Sequence, residues 1–188
     1  MMRAGEFDTC KSSDGKEHGH TDTDVTTGSE FGLRLAKQEV DPELQTVRNR
    51  ALGLLARREH SVQELLRKLR NKGGAETLCL EVVGELGRLD LQSDARFTEA
   101  YTHSRVSKGF GPMRIRRDLR QRGIEDGLIE DHLTRDAEYW MKIAEQARHK
   151  RFRGVAPDGR DAWNAQARFL AQRGFPSDLI YRVLGEQF

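Results

Sequence analysis

The segment GFGPMRIRRDLRQRGI (109–124) carries five arginines, Arg114, Arg116, Arg117, Arg120 and Arg122, against one acid, Asp118. Planar guanidinium groups at this density suit bidentate contacts to phosphate or carboxylate. At helical spacing Ile115 and Leu119 face a core, and Arg116, Arg117 and Arg120 fall together on another side. Arg114 can pair with Asp118 four residues on, so that triplet has no counter-charge within its own helix. A second basic cluster, Arg148, Lys150, Arg151 and Arg153, surrounds Phe152, and a third comprises Arg67, Lys68, Arg70 and Lys72. Each cluster alone reads as a solvated helix face. Several on one scaffold make a surface for phosphates or an acidic partner equally arguable.

Other chemistry is sparse. The chain has no phosphate loop, no zinc-spaced Cys/His set and no nucleophile motif. Asp90, Asp94 and Glu99 read as caps and solvated faces, and His103 and His132 have no evident partner. His18 and His20 form an HxH pair without a third ligand. Cys10 and Cys79 suggest no disulfide framework, which fits a reducing cytoplasm. No catalytic residue, cofactor or metal is expected. The stretch Leu119–Leu133 has the outline of a helix-turn-helix, but its second helix carries Glu125, Asp126, Glu130 and Asp131, which DNA phosphates would repel.

The elements that place these charges follow from a repeat. Leu69, Leu119 and Leu170 each stand four residues before a glycine (Gly73, Gly123, Gly174), and each glycine follows a basic residue (Lys72, Arg122, Arg173). Beyond the glycines, Leu78, Cys79 and Val83 align with Leu128, Ile129 and Leu133 and with Leu179, Ile180 and Leu184. A fixed period of this kind marks stacked units that bury their apolar faces on one another. The expected unit is a helix, a second helix stopped by glycine at its C-cap, and a short third helix. First helices are expected at Asp41–Arg58, Ser93–Val106 and about Asp136–Phe152. Second helices are expected at Ser61–Lys72, Pro112–Arg122 and Asp161–Arg173, and third helices at Ala75–Gly87, Glu125–Arg135 and Pro176–Leu184. Ser61 and Glu64 have the spacing of a capping box. Pro112 and Pro176 suit first-turn positions. Phe97, Tyr101, Trp140 and Trp163 are the expected bulky fillers, and Cys79 a buried core residue.

The fold class is therefore all-α, an elongated array of three tandem three-helix repeats at 41–90, 91–135 and 136–188. Hydrophobic residues at 36% and charged residues at 33% fit helices with narrow apolar stripes and broad wet faces. No apolar run is long enough to span a membrane. Residues 1–40 are rich in Gly, Ser, Thr and Asp and are expected to be disordered. The net charge of +2 is unevenly divided. Residues 1–45 carry five Lys/Arg and ten Asp/Glu, and residues 46–188 carry 27 and 20. A basic folded part preceded by an acidic tail permits a polyanionic partner, with which the tail could compete for the basic face.

ALGLLARREHSVQELLRKLRNKG (51–73) and LQSDARFTEAYTHSRVSKGFGPMRIRRDLRQRGI (91–124) strongly resemble the RecX family of regulators of the RecA recombinase. The resemblance covers about residues 44–188 and is loosest in the third repeat. It implies a helical array that binds RecA filaments on single-stranded DNA. It further implies lower ATPase, strand-exchange and coprotease activity of the filament, through blocked extension or disassembly. It carries no catalytic residues, no cofactor and no short contact motif. Single- or double-stranded DNA remains a further partner class, and an independent DNA-binding protein remains the alternative.

Overall fold

The computed structural model describes residues 41–185, so the expectations for the tail, including the His18/His20 pair and Cys10, lie outside the described residues. Nine helices and no strand are present among them: α1 Pro42–Leu55, α2 Val62–Arg70, α3 Glu76–Arg88, α4 Asp94–Ser107, α5 Pro112–Arg120, α6 Asp126–Leu133, α7 Ala137–Phe152, α8 Gly159–Arg173 and α9 Ser177–Leu184. Helices pack mainly within three consecutive triplets, as the repeat requires.

The glycine alignment corresponds to one repeated hydrogen-bond pattern. Gly73, Gly123 and Gly174 have φ of 84°, 75° and 86°, a backbone region where a side chain is strained. The next residue then donates its N–H back to the aligned leucine: Gly74 to Leu69 at 3.1 Å, Ile124 to Leu119 at 3.2 Å and Phe175 to Leu170 at 3.2 Å. Each leucine is buried, as are Cys79, Ile129 and Ile180 at the shared position of the third helices.

The ends differ from expectation in instructive ways. α2 and α5 stop at Arg70 and Arg120, and a tight turn of two residues precedes each glycine. Pro176 is the N-cap of α9 and not a first-turn residue. The capping box is half made. Ser61 accepts from the Glu64 N–H at 3.1 Å, but the Glu64 carboxylate turns away to Arg58, whose two terminal nitrogens donate to it at 3.0 and 2.6 Å.

The apolar interior is divided. Repeat 1 has its own core around Val47, Leu65, Leu69, Cys79 and Leu86. Repeats 2 and 3 share one, built from Phe97, Ile115, Leu119, Ile129, Trp140, Leu170 and Phe175. Trp163 is also buried, with its indole N–H donating to the Gly185 carbonyl at 3.1 Å. Tyr101 is only half buried, so it edges the core and does not fill it.

The second helices meet end to end. At the start of α5, the N–H groups of Gly111 and Met113 donate to the carbonyls of Arg173 and Gly174 at the end of α8, at 2.8 and 3.0 Å. At the start of α2, the Ser61 hydroxyl donates to the Arg122 carbonyl beyond the end of α5 at 2.8 Å. Unpaired donors at one helix start thus meet unpaired acceptors at another helix end, and the dipoles run head to tail. The junctions are close. A Cβ on Gly111 would lie 2.5 Å from the Gly174 oxygen, and one on Gly123 would lie 2.3 Å from the Gln63 side chain. The Val62 N–H donates to Asp94 at 2.9 Å, which adds a second tie between repeats 1 and 2.

Candidate partner-binding surface

α5 presents three arginine environments. Ile115 and Leu119 are fully buried and fix the helix rotation. On one side, Arg116 donates from Nε and Nη2 to the Glu130 carboxylate at 2.7 and 2.9 Å, and Arg120 donates from Nε to Asp126 at 2.6 Å. Those hydrogen bonds hold the Glu130 and Asp126 carboxyls below their ordinary range and raise Arg116. The acids come from α6, the helix whose charge disfavours groove reading of DNA. The Arg116/Arg117/Arg120 triplet is therefore largely neutralised by its neighbour. Arg117 is exposed and has no hydrogen bond or ion pair among the described residues.

On the other side several arginines share a single acid, Asp118. Arg114 lies 3.5 Å from Asp118, as the i, i+4 spacing predicts, and Arg122 donates to the Asp118 carbonyl at 2.6 Å. The Arg122 guanidinium also stands 4.6 Å from the centre of the Tyr101 ring, and Arg105 stands 4.7 Å from it. Arg105 then reaches Phe110 at 5.5 Å, and Phe110 is shared with Arg114 at 5.7 Å and Arg173 at 5.2 Å. Arg173 goes on to Phe169 at 4.7 Å. Phe169 meets Phe152 edge-on at 5.4 Å, and Arg151 lies over Phe152 at 5.6 Å. The result is an alternating arginine–aromatic ladder from repeat 2 into repeat 3.

Helical spacing builds each rung. Tyr101 and Arg105 lie four apart on α4, and Phe169 and Arg173 lie four apart on α8, so each ring meets its cation on one face. Phe110, in the α4–α5 turn, joins the two sets because Arg173 donates to the carbonyls of Lys108 and Gly109 at 2.6 and 3.1 Å. Asp118 is the one carboxylate that pairs with the ladder among the described residues, and Glu59 and Glu64 line the cleft that Tyr101, Arg105 and Arg122 border. Asp118 accepts from the Tyr101 hydroxyl at 3.1 Å and lies 4.0 Å from Arg105. Burial pushes the Tyr101 phenol up.

The other clusters separate in space. Arg148 turns inward and donates to Gln166 at 3.3 Å, while Lys150, Arg151 and Arg153 remain exposed. Lys68 faces His60 at 2.8 Å, and Arg70 pairs with Glu76, so the first repeat's basic set does not act as one patch. Charge counting along the sequence did not single out Arg105, Arg173, Phe110 or Phe169. The i, i+4 Tyr/Arg and Phe/Arg pairs were the available signal.

The carboxylates do not converge on a reaction centre. Asp90 binds Arg96 at 2.8 Å, Asp94 accepts from Val62 and Gln92, and Glu99 is exposed. His103 and His132 line an open cleft of about 530 Å³ with Tyr139 and Trp140. No described helix is long and apolar enough to cross a membrane. Among the described residues no group of three or more His, Cys, Asp or Glu side chains could hold a metal.

Comparison with known proteins matches the three triplets one by one. Residues 48–86, 93–133 and 137–184 match the models of the first, second and third three-helix domains of RecX. A regulatory protein RecX from Halorhodospira halophila is 45% identical over 141 residues, spanning 72% of this chain and 84% of the relative. One from Pseudomonas putida is 39% identical over 138 residues, spanning 73% and 88%. The crystal structure of RecX from Lactobacillus salivarius superposes with a TM-score of 0.63 at 24% identity, over 75% of this chain and 94% of that one. That likeness shows the shared fold. With all three domain models in order and such identity over most of the chain, the protein belongs to the RecX family.

Proposed function

We propose that this protein is a negative regulator of RecA, acting in the cytoplasm as a binding protein and not as an enzyme. It binds RecA filaments on single-stranded DNA and lowers their ATPase, strand-exchange and coprotease activity. The observation that carries this reading is the ordered presence of all three RecX domains along residues 48–184.

The architecture supports it physically. Repeats 2 and 3 are tied by backbone hydrogen bonds and repeats 1 and 2 by the Ser61 and Asp94 side chains, so contacts to neighbouring protomers act as linked sites. Linked contacts raise effective affinity for an assembled filament over free recombinase. Arg114, Arg117, Arg122, Lys150, Arg151 and Arg153 are the proposed partner contacts from the basic segments. Arg116 and Arg120 join them only where a partner carboxylate or phosphate displaces Glu130 and Asp126, and Arg148 supports the α7–α8 packing.

The test is ATP hydrolysis by preformed RecA filaments on single-stranded DNA, titrated with this protein. Hydrolysis is expected to fall at fewer than one copy per recombinase protomer, and an Arg117→Ala/Arg122→Ala/Arg151→Ala variant of unchanged helicity is expected to need more protein. Unchanged hydrolysis at saturating wild-type protein would refute the regulator reading.

A further inference from the structure

We propose that repeat 1 is a pivoting arm, which swings on the linker between α3 and α4 and is latched against repeat 2 by a buried polar cluster around His60.

The two junctions of the array differ in kind. Repeats 2 and 3 share one apolar core, and their backbones bond directly where α5 meets α8. Repeat 1 keeps a separate core, to which no residue of α4–α9 belongs. Among the described residues no backbone–backbone hydrogen bond joins 41–92 to 93–185. What crosses instead involves side chains. The Ser61 hydroxyl donates to the Arg122 carbonyl at 2.8 Å, and Asp94 accepts from the Val62 N–H at 2.9 Å. The buried Gln92 amide donates to the His60 carbonyl at 3.2 Å and to Asp94 at 2.9 Å. On the surface Arg96 reaches back to Glu59 at 3.0 Å and Asp90 at 2.8 Å. Parting two units of a shared apolar core exposes that core to water, whereas side-chain hydrogen bonds exchange for bonds to water at little net cost.

The pivot is short. The N–H groups of Leu91 and Gln92 both donate to the Leu86 carbonyl, so the linker as far as Gln92 stays with α3. Ser93 is extended, with φ −149° and ψ 124°, and starts α4 as its N-cap. Rotation between Gln92 and Ser93 breaks no backbone hydrogen bond on either side.

His60 is the catch. Its turn carries the groups of Glu59, His60, Ser61 and Val62 that tie repeat 1 to repeat 2. The ring is buried between the Arg58 carbonyl at Nδ1 and the Lys68 ammonium at Nε2. The charged groups around it are Arg58 and Glu59 from the same turn, Glu64 and Lys68 from α2, Asp94 and Arg96 from α4, and Arg122 beyond α5. Glu64 is already committed to Arg58. A proton on Nε2 would set a donor and a second positive charge against the Lys68 ammonium. The turn relieves that conflict by moving away, and the ties it carries go with it. Opening returns His60 to water, so the latch is closed above about pH 6.5 and is released below it. One proton raises the open-to-closed ratio by up to about tenfold between about pH 7.5 and about pH 5.5. For a regulator that engages several protomers (a use that rests on the function proposed above), the angle of the arm sets which contacts act together.

The test is time-resolved energy transfer on the full chain, with pH-insensitive dyes and no recombinase, so it stands or falls apart from the regulator reading. Cys79 is buried, and Cys10→Ser removes the other native thiol. Glu81→Cys with Asp131→Cys spans the pivot, and Asp131→Cys with Glu145→Cys lies within repeats 2 and 3; all three sites are exposed. Asp94→Ala removes the acceptor of two ties and is expected to give the spanning pair a second distance at about pH 7.5. That population is expected to grow relative to the first by up to about tenfold at about pH 5.5, while the inner pair keeps one distance throughout. His60→Gln, added to Asp94→Ala, can still donate to Arg58 and accept from Lys68, and is expected to abolish the pH response. Lys68→Met in the same background is expected to shrink it, and serves where the glutamine variant does not fold. A single unchanged distance for the spanning pair in Asp94→Ala at both pH values would overturn the pivot. So would equal changes in the inner pair, which would mean unfolding. A pH response that survives both His60→Gln and Lys68→Met would overturn the latch.

Discussion

Replacing Gly111 with alanine isolates the end-to-end docking of the second helices. Gly111 has φ −87° and ψ 169°, a conformation open to any residue, so backbone strain at the site itself is not at issue. The added Cβ would lie 2.5 Å from the Gly174 oxygen and 2.6 Å from its carbonyl carbon, which is backbone and cannot swing aside. Relief requires the start of α5 to lift from the end of α8. Two hydrogen bonds then lengthen or break, Gly111 to Arg173 and Met113 to Gly174, at about 1 kcal/mol each. Crowding of a packed junction adds roughly 1–3 kcal/mol, and alanine's lower unfolded-state entropy offsets about 0.4–1 kcal/mol. The expected net loss is about 2–5 kcal/mol. Gly53→Ala is the control: it lies inside α1 with nothing within 4 Å of the new methyl, and should stabilise by about 0.5–1 kcal/mol. Urea unfolding followed by tryptophan fluorescence suits the purpose, because both tryptophans, Trp140 and Trp163, are buried in repeat 3. A Gly111→Ala protein within about 0.5 kcal/mol of wild type would show that these repeats are not held by the docking described.

Two further outcomes are expected. His60 is buried, its Nδ1–H donates to the Arg58 carbonyl at 2.9 Å, and its Nε2 accepts from the Lys68 ammonium at 2.8 Å. Burial first, with the positive charges of Arg58 and Lys68 opposing the weaker pull of Glu64, pushes the His60 pKa down from 6.5. The unfolded chain then binds the proton more readily, so stability is full above about pH 6.5 and falls as pH drops through that value. Urea midpoints measured from about pH 7.5 to about pH 5.5 should show the decline, and His60→Gln should flatten it. A flat wild-type profile would contradict the assignment. Cys79 is fully buried, and burial, with a smaller push from Glu76, raises its thiol pKa. A Cys10→Ser protein should therefore react with a thiol-specific disulfide reagent only once unfolded, and fast native labelling would place Cys79 outside the core.

The sequence by itself determined the repeat and its helical unit. Glycine at a left-handed cap and leucine four residues before it are local requirements, and they recur because the same backbone turn recurs in Gly73, Gly123 and Gly174. Helix existence followed from apolar spacing, while helix ends shifted by up to three residues, α1 stopping at Leu55, α2 and α5 at Arg70 and Arg120, and Pro176 capping α9 from outside it. The Arg114–Asp118 pair, four residues apart on one helix, was legible for the same local reason. Which arginines stay unneutralised was decided only by the tertiary structure. Arg116 meets Glu130 fourteen residues away and Arg120 meets Asp126 across the glycine turn, whereas Arg105 and Arg173, 68 residues apart, converge on Phe110. Charge in a sequence is additive, but its availability depends on which side chains the packing of separate helices brings within reach.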